Sequence, residues 1–211
     1  MITFIFGDSI TEGLWDSKGG WADRIKAWVQ AEEVSSGIKN YHEVYNLGVD
    51  GNTTQQLLAR FEAETTARLW PDEDIAFIFA VGTNDTLHRN NSDYQSTPEQ
   101  YQAELTQLVE LARKFSSKVT FVDLLPVDES LTNPIQSSSS GKCYTNDRIS
   151  LFNATLHAFC EAQSLPCIKV SELYAQQNYT TLLADGLHPN DQGHELIFNA
   201  VKPKVEELIH G

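Results

Sequence analysis

The sequence predicts an α/β fold with a parallel sheet covered on both faces, and three observations carry that prediction. Short apolar runs alternate with longer amphipathic ones from end to end. Most of the runs are apolar at successive residues instead of only at every second one, the pattern of strands buried on both faces. Polar, glycine-containing segments follow directly on several of the runs, as expected where a ligand site collects at the carboxyl ends of parallel strands.

The elements follow in order. Ile2 to Phe6 is the first strand, and Trp21, Ile25, Trp28 and Val29, three or four apart, mark one face of a helix. Glu43 to Leu47 is the second strand, followed by a helix through Leu57, Leu58 and Phe61. Ile75 to Val81 is the third, followed by a helix through Tyr101, Leu105, Leu108, Ala112 and Phe115. Val119 to Leu125 is the fourth, followed by a helix through Ile149, Phe152, Leu156 and Phe159. A weaker fifth, Cys167 to Val170, follows Pro166, and Leu196, Ile197, Val201 and Val205 define a closing helix. Such β-α alternation favours right-handed crossovers between parallel strands.

Length and composition bound the rest. A chain of 211 residues without an internal Pro/Gly/Ser-rich divide reads as one domain over residues 1–211. The net charge of −14 repels a polyanionic backbone and argues against nucleic-acid binding. Cys143, Cys160 and Cys167 are odd in number and lack C-x-x-C spacing, so neither a disulfide framework nor a zinc site is expected. No apolar run approaches membrane-spanning length, and no basic leader precedes Gly7, which makes a cytoplasmic location the expectation. Asn52, Asn84, Asn90, Asn153 and Asn178 fit the glycosylation pattern and are read as chance matches.

The polar segments after the strands are Gly7-Asp8-Ser9, Asn46 to Thr53, Gly82-Thr83-Asn84-Asp85, and residues 126–147 with their small polar run Ser137 to Gly141. The last is either a flap over the site or a surface insertion. Ser9 admits two readings. It is a hydroxyl lifted from the sheet on a tight turn, where Gly7 lets the backbone approach a substrate, or it is a helix N-cap, a role open to Thr11 as well. It is not a Gly-x-Ser-x-Gly elbow, because Thr11 occupies the second glycine's place.

A serine becomes nucleophilic when a histidine takes its proton and a carboxylate orients the imidazole. Asp185-Gly186-Leu187-His188-Pro189 offers both partners. Pro189 biases His188 toward an extended loop before the last helix, and Asp185 folds back across Gly186. Asp191 and His194 share the spacing but fall inside the last helix, Asp191 as a cap and His194 as an exposed residue. His42, His88, His157 and His210 have no companion pattern in the sequence and are read as surface or half-buried. Donors for an oxyanion are available as the backbone N–H groups of Ser9 and Gly48 and the side-chain amide of Asn84. Taken singly, Gly48 is equally a plain turn glycine and Asn84 an Asx turn.

With these residues in view, the chain resembles the SGNH hydrolases, also called GDSL esterases and lipases. Gly7-Asp8-Ser9-Ile10 is similar to that family's first block, with Ile10 for the usual leucine. Gly48 is similar to the second, Gly82-Thr83-Asn84-Asp85 to the third, and Asp185 to Pro189 to the last. The resemblance implies a flavodoxin-like three-layer fold with a five-stranded parallel sheet, and no metal or organic cofactor. It implies Ser9 as nucleophile, His188 as base and Asp185 as its orienter, with Ser9, Gly48 and Asn84 as the oxyanion hole. The expected reaction is ester hydrolysis through an acyl-enzyme, on a small-molecule ester and with no membrane insertion. An acyltransferase would use the same triad, and a non-catalytic flavodoxin-like module holding phosphate or flavin is the other alternative. Trp15, Trp21 and Tyr144 are candidates for a sugar-binding wall, with Trp21 fitting a buried helix face better. With no long exposed apolar helix to shield a fatty chain, short acyl or acetyl groups are the expected substrates. Oligomeric state is left open.

Overall fold

The computed structural model describes residues 1–39, 41–89 and 93–210, with backbone only at Asp93 and His210. The sequon at Asn90 and the side chain of His210 therefore lie outside the described residues.

The strands are β1 (Ile2–Gly7), β2 (Glu43–Gly48), β3 (Ile75–Ala80), β4 (His88–Arg89), β5 (Asp93–Tyr94), β6 (Val119–Val122), β7 (Lys142–Cys143) and β8 (Cys167–Ile168). Five of them form one parallel sheet in the order β2-β1-β3-β6-β8. The main helices are α1 (Ser9–Glu12), α2 (Gly20–Ser35), α3 (Thr54–Thr66), α4 (Pro98–Arg113), α5 (Glu129–Thr132), α6 (Asn146–Gln163), α7 (Val170–Ala175) and α8 (Asp191–His210). This is the expected α/β architecture, a five-stranded parallel sheet between two helical layers.

The alternation of strand side chains explains why both layers are needed. Phe4 and Phe6 of β1, Phe77 and Phe79 of β3, and Phe121 of β6 point to one face, where Phe61 of α3, Tyr101 of α4 and Phe152 of α6 cover them. The intervening Ile5, Ile78 and Val122 point to the other face, against Trp21 and Ile25 of α2 and Val201 and Val205 of α8. Aromatic rings fill the first layer in chains of contact, Phe61 lying 5.1 Å from Phe6 and 5.2 Å from Phe77 between ring centroids.

Two helices start on reciprocal capping boxes, Thr53 with Gln56 for α3 and Thr97 with Gln100 for α4, the latter with Pro98 in its first turn. The fourth and fifth strands are shorter than the apolar runs that predict them. Both the N–H and the carbonyl of Leu124 bond to the Asn153 side chain, which takes the backbone off the ladder after Val122. Val170 already opens α7, so β8 ends at Ile168.

Residues 126–147 carry α5 and β7. β7 pairs antiparallel with β4, which pairs with β5, making a small ribbon at the carboxyl end of the main sheet's third strand. The segment is tied down at several points. Asp128 N–H donates to Gly186 O at 2.8 Å, and the Thr132 hydroxyl donates to Tyr144 O at 2.9 Å. Among the described residues, no helix is long and apolar enough to cross a membrane.

Candidate active site

The site begins where β1 ends. Asp8 is the N-cap of α1, its carboxylate accepting from Ile10 N–H at 3.0 Å, so the alternative reading of Ser9 as a helix N-cap falls away. Ser9 thereby occupies the first helical position, and its own N–H precedes the intrahelical ladder. Gly7 also has a reason in the packing. A Cβ there would lie 2.0 Å from Thr11 Oγ1 and 2.5 Å from Ala80 O, so glycine lets α1 press against the sheet. Gly48 has the same duty, because a Cβ on it would meet Glu12 N at 2.0 Å.

Ser9 Oγ lies 2.9 Å from His188 Nε2, and His188 Nδ1 lies 2.7 Å from Asp185 Oδ2. A carboxylate can only accept, so Nδ1 carries the proton and Nε2 is left to receive from the Ser9 hydroxyl. Asp185 folds back as expected, with Gly186 in the left-handed region at φ 89°. Its Oδ1 accepts from Leu187 N–H at 3.0 Å and His188 N–H at 2.8 Å, and its Oδ2 also accepts from Trp15 Nε1–H at 2.9 Å. Burial opposes its ionisation, but the bonds from the His188 side chain and backbone and from Leu187 outweigh that and hold the carboxyl well below the usual carboxylate range.

The neighbouring acids behave in the opposite sense. Burial pushes the Asp8 carboxyl up to about 6, against the lowering effects of Ile10 N–H and of His188. Burial likewise pushes Asp85 up to about 7, although it accepts from Thr54 N–H and hydroxyl and so ties the β3 loop to the start of α3.

The expected oxyanion donors at Gly48 and Asn84 are found in different states. The Asn84 amide is clamped at both ends, Nδ2 donating to Asn52 O at 3.1 Å and Oδ1 accepting from the Tyr144 hydroxyl at 3.0 Å. One Nδ2 hydrogen is spent on Asn52, and the amide has a second. Gly48 N–H donates to Asn46 Oδ1 at 3.0 Å. Trp21 is buried in the α2 face, whereas Trp15 is 60 % exposed beside Asp185.

Several residues at this end of the sheet escape a reading by motif. Arg60 of α3 donates through Nη2 to Gly7 O at 3.1 Å and Leu47 O at 2.9 Å, and through Nε to Asn52 Oδ1 at 2.8 Å, with its plane over Phe6. The available signal is its place one position before Phe61 on the buried stripe of α3. His194 is fully buried, not exposed: Nε2–H donates to Leu14 O at 3.2 Å and Nδ1 accepts from Trp21 N–H at 3.3 Å. Burial lowers its pKa, which suits the neutral ring those two bonds require. The cap of α8 is Asn190, whose side chain accepts from Gln192 and Gly193, while the Asp191 carboxylate accepts from the N–H and hydroxyl of Ser17.

His157 has a companion after all. Its Nε2 lies 3.1 Å from the buried carboxylate of Asp123, at the carboxyl end of β6 beside a cavity of about 410 Å³. Ser171 donates to that same carboxylate and not to the imidazole, so no proton relay to a hydroxyl is formed. His88 is buried too, against the ring of Tyr94. Among the described residues, no group of three or more His, Cys, Asp and Glu side chains is arranged to hold a metal ion.

A parallel α/β sheet with a Ser-His-Asp series at its carboxyl edge has the geometry of an acyl-transferring hydrolase. The GDSL-like lipase/acylhydrolase family matches residues 5–196, and the chain belongs to it. It is a carboxylic ester hydrolase of the GDSL type, and the non-catalytic module falls away as an alternative. The fold is similar to that of a lipase/acylhydrolase from Enterococcus faecalis, with 21% identity over 99% of this chain and 96% of that one and a TM-score of 0.76. It is similar to an acetyl xylan esterase named AlAXEase, with 18% identity over 97% of this chain and 100% of that one and a TM-score of 0.74. An acetylxylan esterase from Geobacillus stearothermophilus shares 17% identity over 97% of this chain and 93% of that one, with a TM-score of 0.70. No curated protein sequence matches the chain.

Proposed function

We propose that the protein hydrolyses short-chain acyl or acetyl esters through a Ser9 acyl-enzyme, as one domain over residues 1–211 in which 126–147 forms the wall beside Asn84. The observation that carries the reading is the unbroken series Ser9 Oγ, His188 Nε2, His188 Nδ1, Asp185 Oδ2 at 2.9 and 2.7 Å. In the first half-reaction His188 takes the Ser9 proton as Oγ attacks the ester carbonyl. His188 then gives that proton to the departing alcohol, leaving the acyl group on Ser9. Water attacks the acyl-enzyme with His188 again as base, and the acid leaves.

Charge that develops on the carbonyl oxygen is met by the Ser9 N–H and the second Asn84 Nδ2 hydrogen. Gly48 N–H joins them when the Asn46 side-chain oxygen shares it. Each such donor is worth roughly 2.7–4 kcal/mol where one has been removed. Acyl chemistry of this kind needs no redox or group-carrying cofactor, because the nucleophile, base and anion donors are all side chains or backbone.

The test is Ser9→Ala. The variant should fold as the wild type does by circular dichroism, lose nearly all turnover of p-nitrophenyl acetate and fail to react with a fluorophosphonate probe. Turnover near the wild-type rate would sink the assignment. An esterase panel graded by acyl length, with acetylated oligosaccharides included, then places the natural substrate.

A further inference from the structure

We infer that Trp15 is a positioning residue of the hydrolytic site, whose indole N–H holds the Asp185 carboxylate in the orientation that aligns His188. The inference rests on the reading of Ser9, His188 and Asp185 as the reacting series.

Nothing in ordinary packing accounts for Trp15. The residue is 60 % exposed, so burial holds the indole there only in part. Its backbone sits at φ 66°, a left-handed conformation that is unfavourable for a bulky residue and persists only where the surroundings over-determine it. Those surroundings are present. Leu14 N–H donates to Ser9 O, and Leu14 O accepts from the buried His194. The Asp16 side chain, out of solvent, accepts from Gly20 N–H and from both Nε and Nη2 of Arg24. Ser17 N–H is held by Asp191 at 2.8 Å. A loop anchored on both sides of one residue thus presents an exposed indole whose N–H reaches Asp185 Oδ2 at 2.9 Å.

That oxygen is the one His188 Nδ1 uses. With Oδ1 taken by two backbone N–H groups, the Trp15 bond completes a set of donors that leaves the carboxylate one orientation. The donor also draws negative charge from Oδ2. Without it, Asp185 would stabilise the imidazolium that forms in the reaction more strongly. The titratable groups facing His188 are Asp185, Asp8 and, on α8, His194. Of the three, only Asp185 loses a hydrogen-bond partner when Trp15 becomes phenylalanine.

The experiment compares wild type, Trp15→Phe and Ser9→Ala. Phenylalanine keeps a ring and removes the donor. The acid limb of kcat/KM for p-nitrophenyl acetate should move to higher pH by on the order of half a unit. kcat should fall about 2- to 12-fold with KM unchanged, the range expected for one hydrogen bond. A profile and kcat that match the wild type would overturn the inference, as would a loss of stability with the pH limb unmoved. A second measurement needs no variant at that position. The chain has four tryptophans, so its indole N–H signals are few enough to follow by NMR. One of them should shift with the same midpoint as the His188 ring, in wild type and in Ser9→Ala alike. If no indole signal follows His188, Trp15 does not hold Asp185. If instead Ser9→Ala turns over ester normally, the proposed function fails and the indole titration still judges Trp15 separately.

Discussion

At the scale of single residues, the site depends on groups that hold other groups. The Asn84 amide, proposed as an anion donor, is held against rotation: Tyr144 fixes the oxygen and Asn52 takes one hydrogen. Burial raises the Tyr144 phenol, so it stays protonated and remains a donor throughout the working range. Tyr144→Phe should therefore lower kcat about 2- to 12-fold, the range for one hydrogen bond, with KM for p-nitrophenyl acetate unchanged. An unchanged kcat would mean that Asn84 is not serving the transition state. Tyr144 was legible only as an aromatic near the site, because the sequence places it 60 positions from its partner. Asp185 and His188 were legible because they are three residues apart and joined by a glycine that permits the turn.

Among the elements, the carboxyl edge of the sheet is where positions are set. Arg60 binds the ends of β1 and β2 together by donating to Gly7 O and Leu47 O, and it reaches Asn52, whose carbonyl receives the Asn84 amide. Lysine cannot reproduce that fork of donors. Arg60→Lys should destabilise the protein by about 2–4 kcal/mol in urea unfolding and slow ester turnover as well, because two strand-end carbonyls lose their partner. A stability within about 0.5 kcal/mol of wild type would show that water replaces the guanidinium. The strands themselves were legible as apolar runs, and the helices as stripes at helical spacing. The ends were not. Asn153 stops the fourth strand and Asp8 caps α1 through bonds that depend on where other elements lie.

For the molecule as a whole, the buried acids impose a pH dependence. Asp8 has its carboxyl raised from 3.8 to about 6, so the folded state holds that proton more tightly than the unfolded chain does. The sign follows: no penalty exists below about pH 4, it grows between about pH 4 and 6, and it is constant above, reaching about 3 kcal/mol. Asp8→Asn keeps an oxygen for Ile10 N–H and removes the titration. Its stability relative to wild type should therefore rise by up to about 3 kcal/mol between pH 4 and pH 7, measured by urea unfolding at both. A difference that stays constant with pH would show that Asp8 remains ionised in the fold. Asp85, raised to about 7, acts in the same direction, and because the Asp8 charge is one of the causes that raise it, the small part of its penalty owed to Asp8 is relieved in the variant too. His194 acts the other way. Its lowered pKa gives stability that is present above the unfolded histidine value and lost as the pH falls.

From its residues alone the chain specified an α/β sheet buried on both faces, the order of its layers, and the segments that meet at one edge. Hydrophobic periodicity and turn chemistry are local, so they can be read along a chain. Tertiary structure decided which side chains finish the site. His194 looked exposed because a helix pattern cannot say that the loop after Gly13 will fold over it, and Asp191 looked like a cap although it holds Ser17. Trp15 offers no pattern at all, since its role needs a left-handed backbone, a loop anchored elsewhere and an oxygen 170 positions away. Contacts of that separation are settled by packing the whole chain at once, and no local propensity records them.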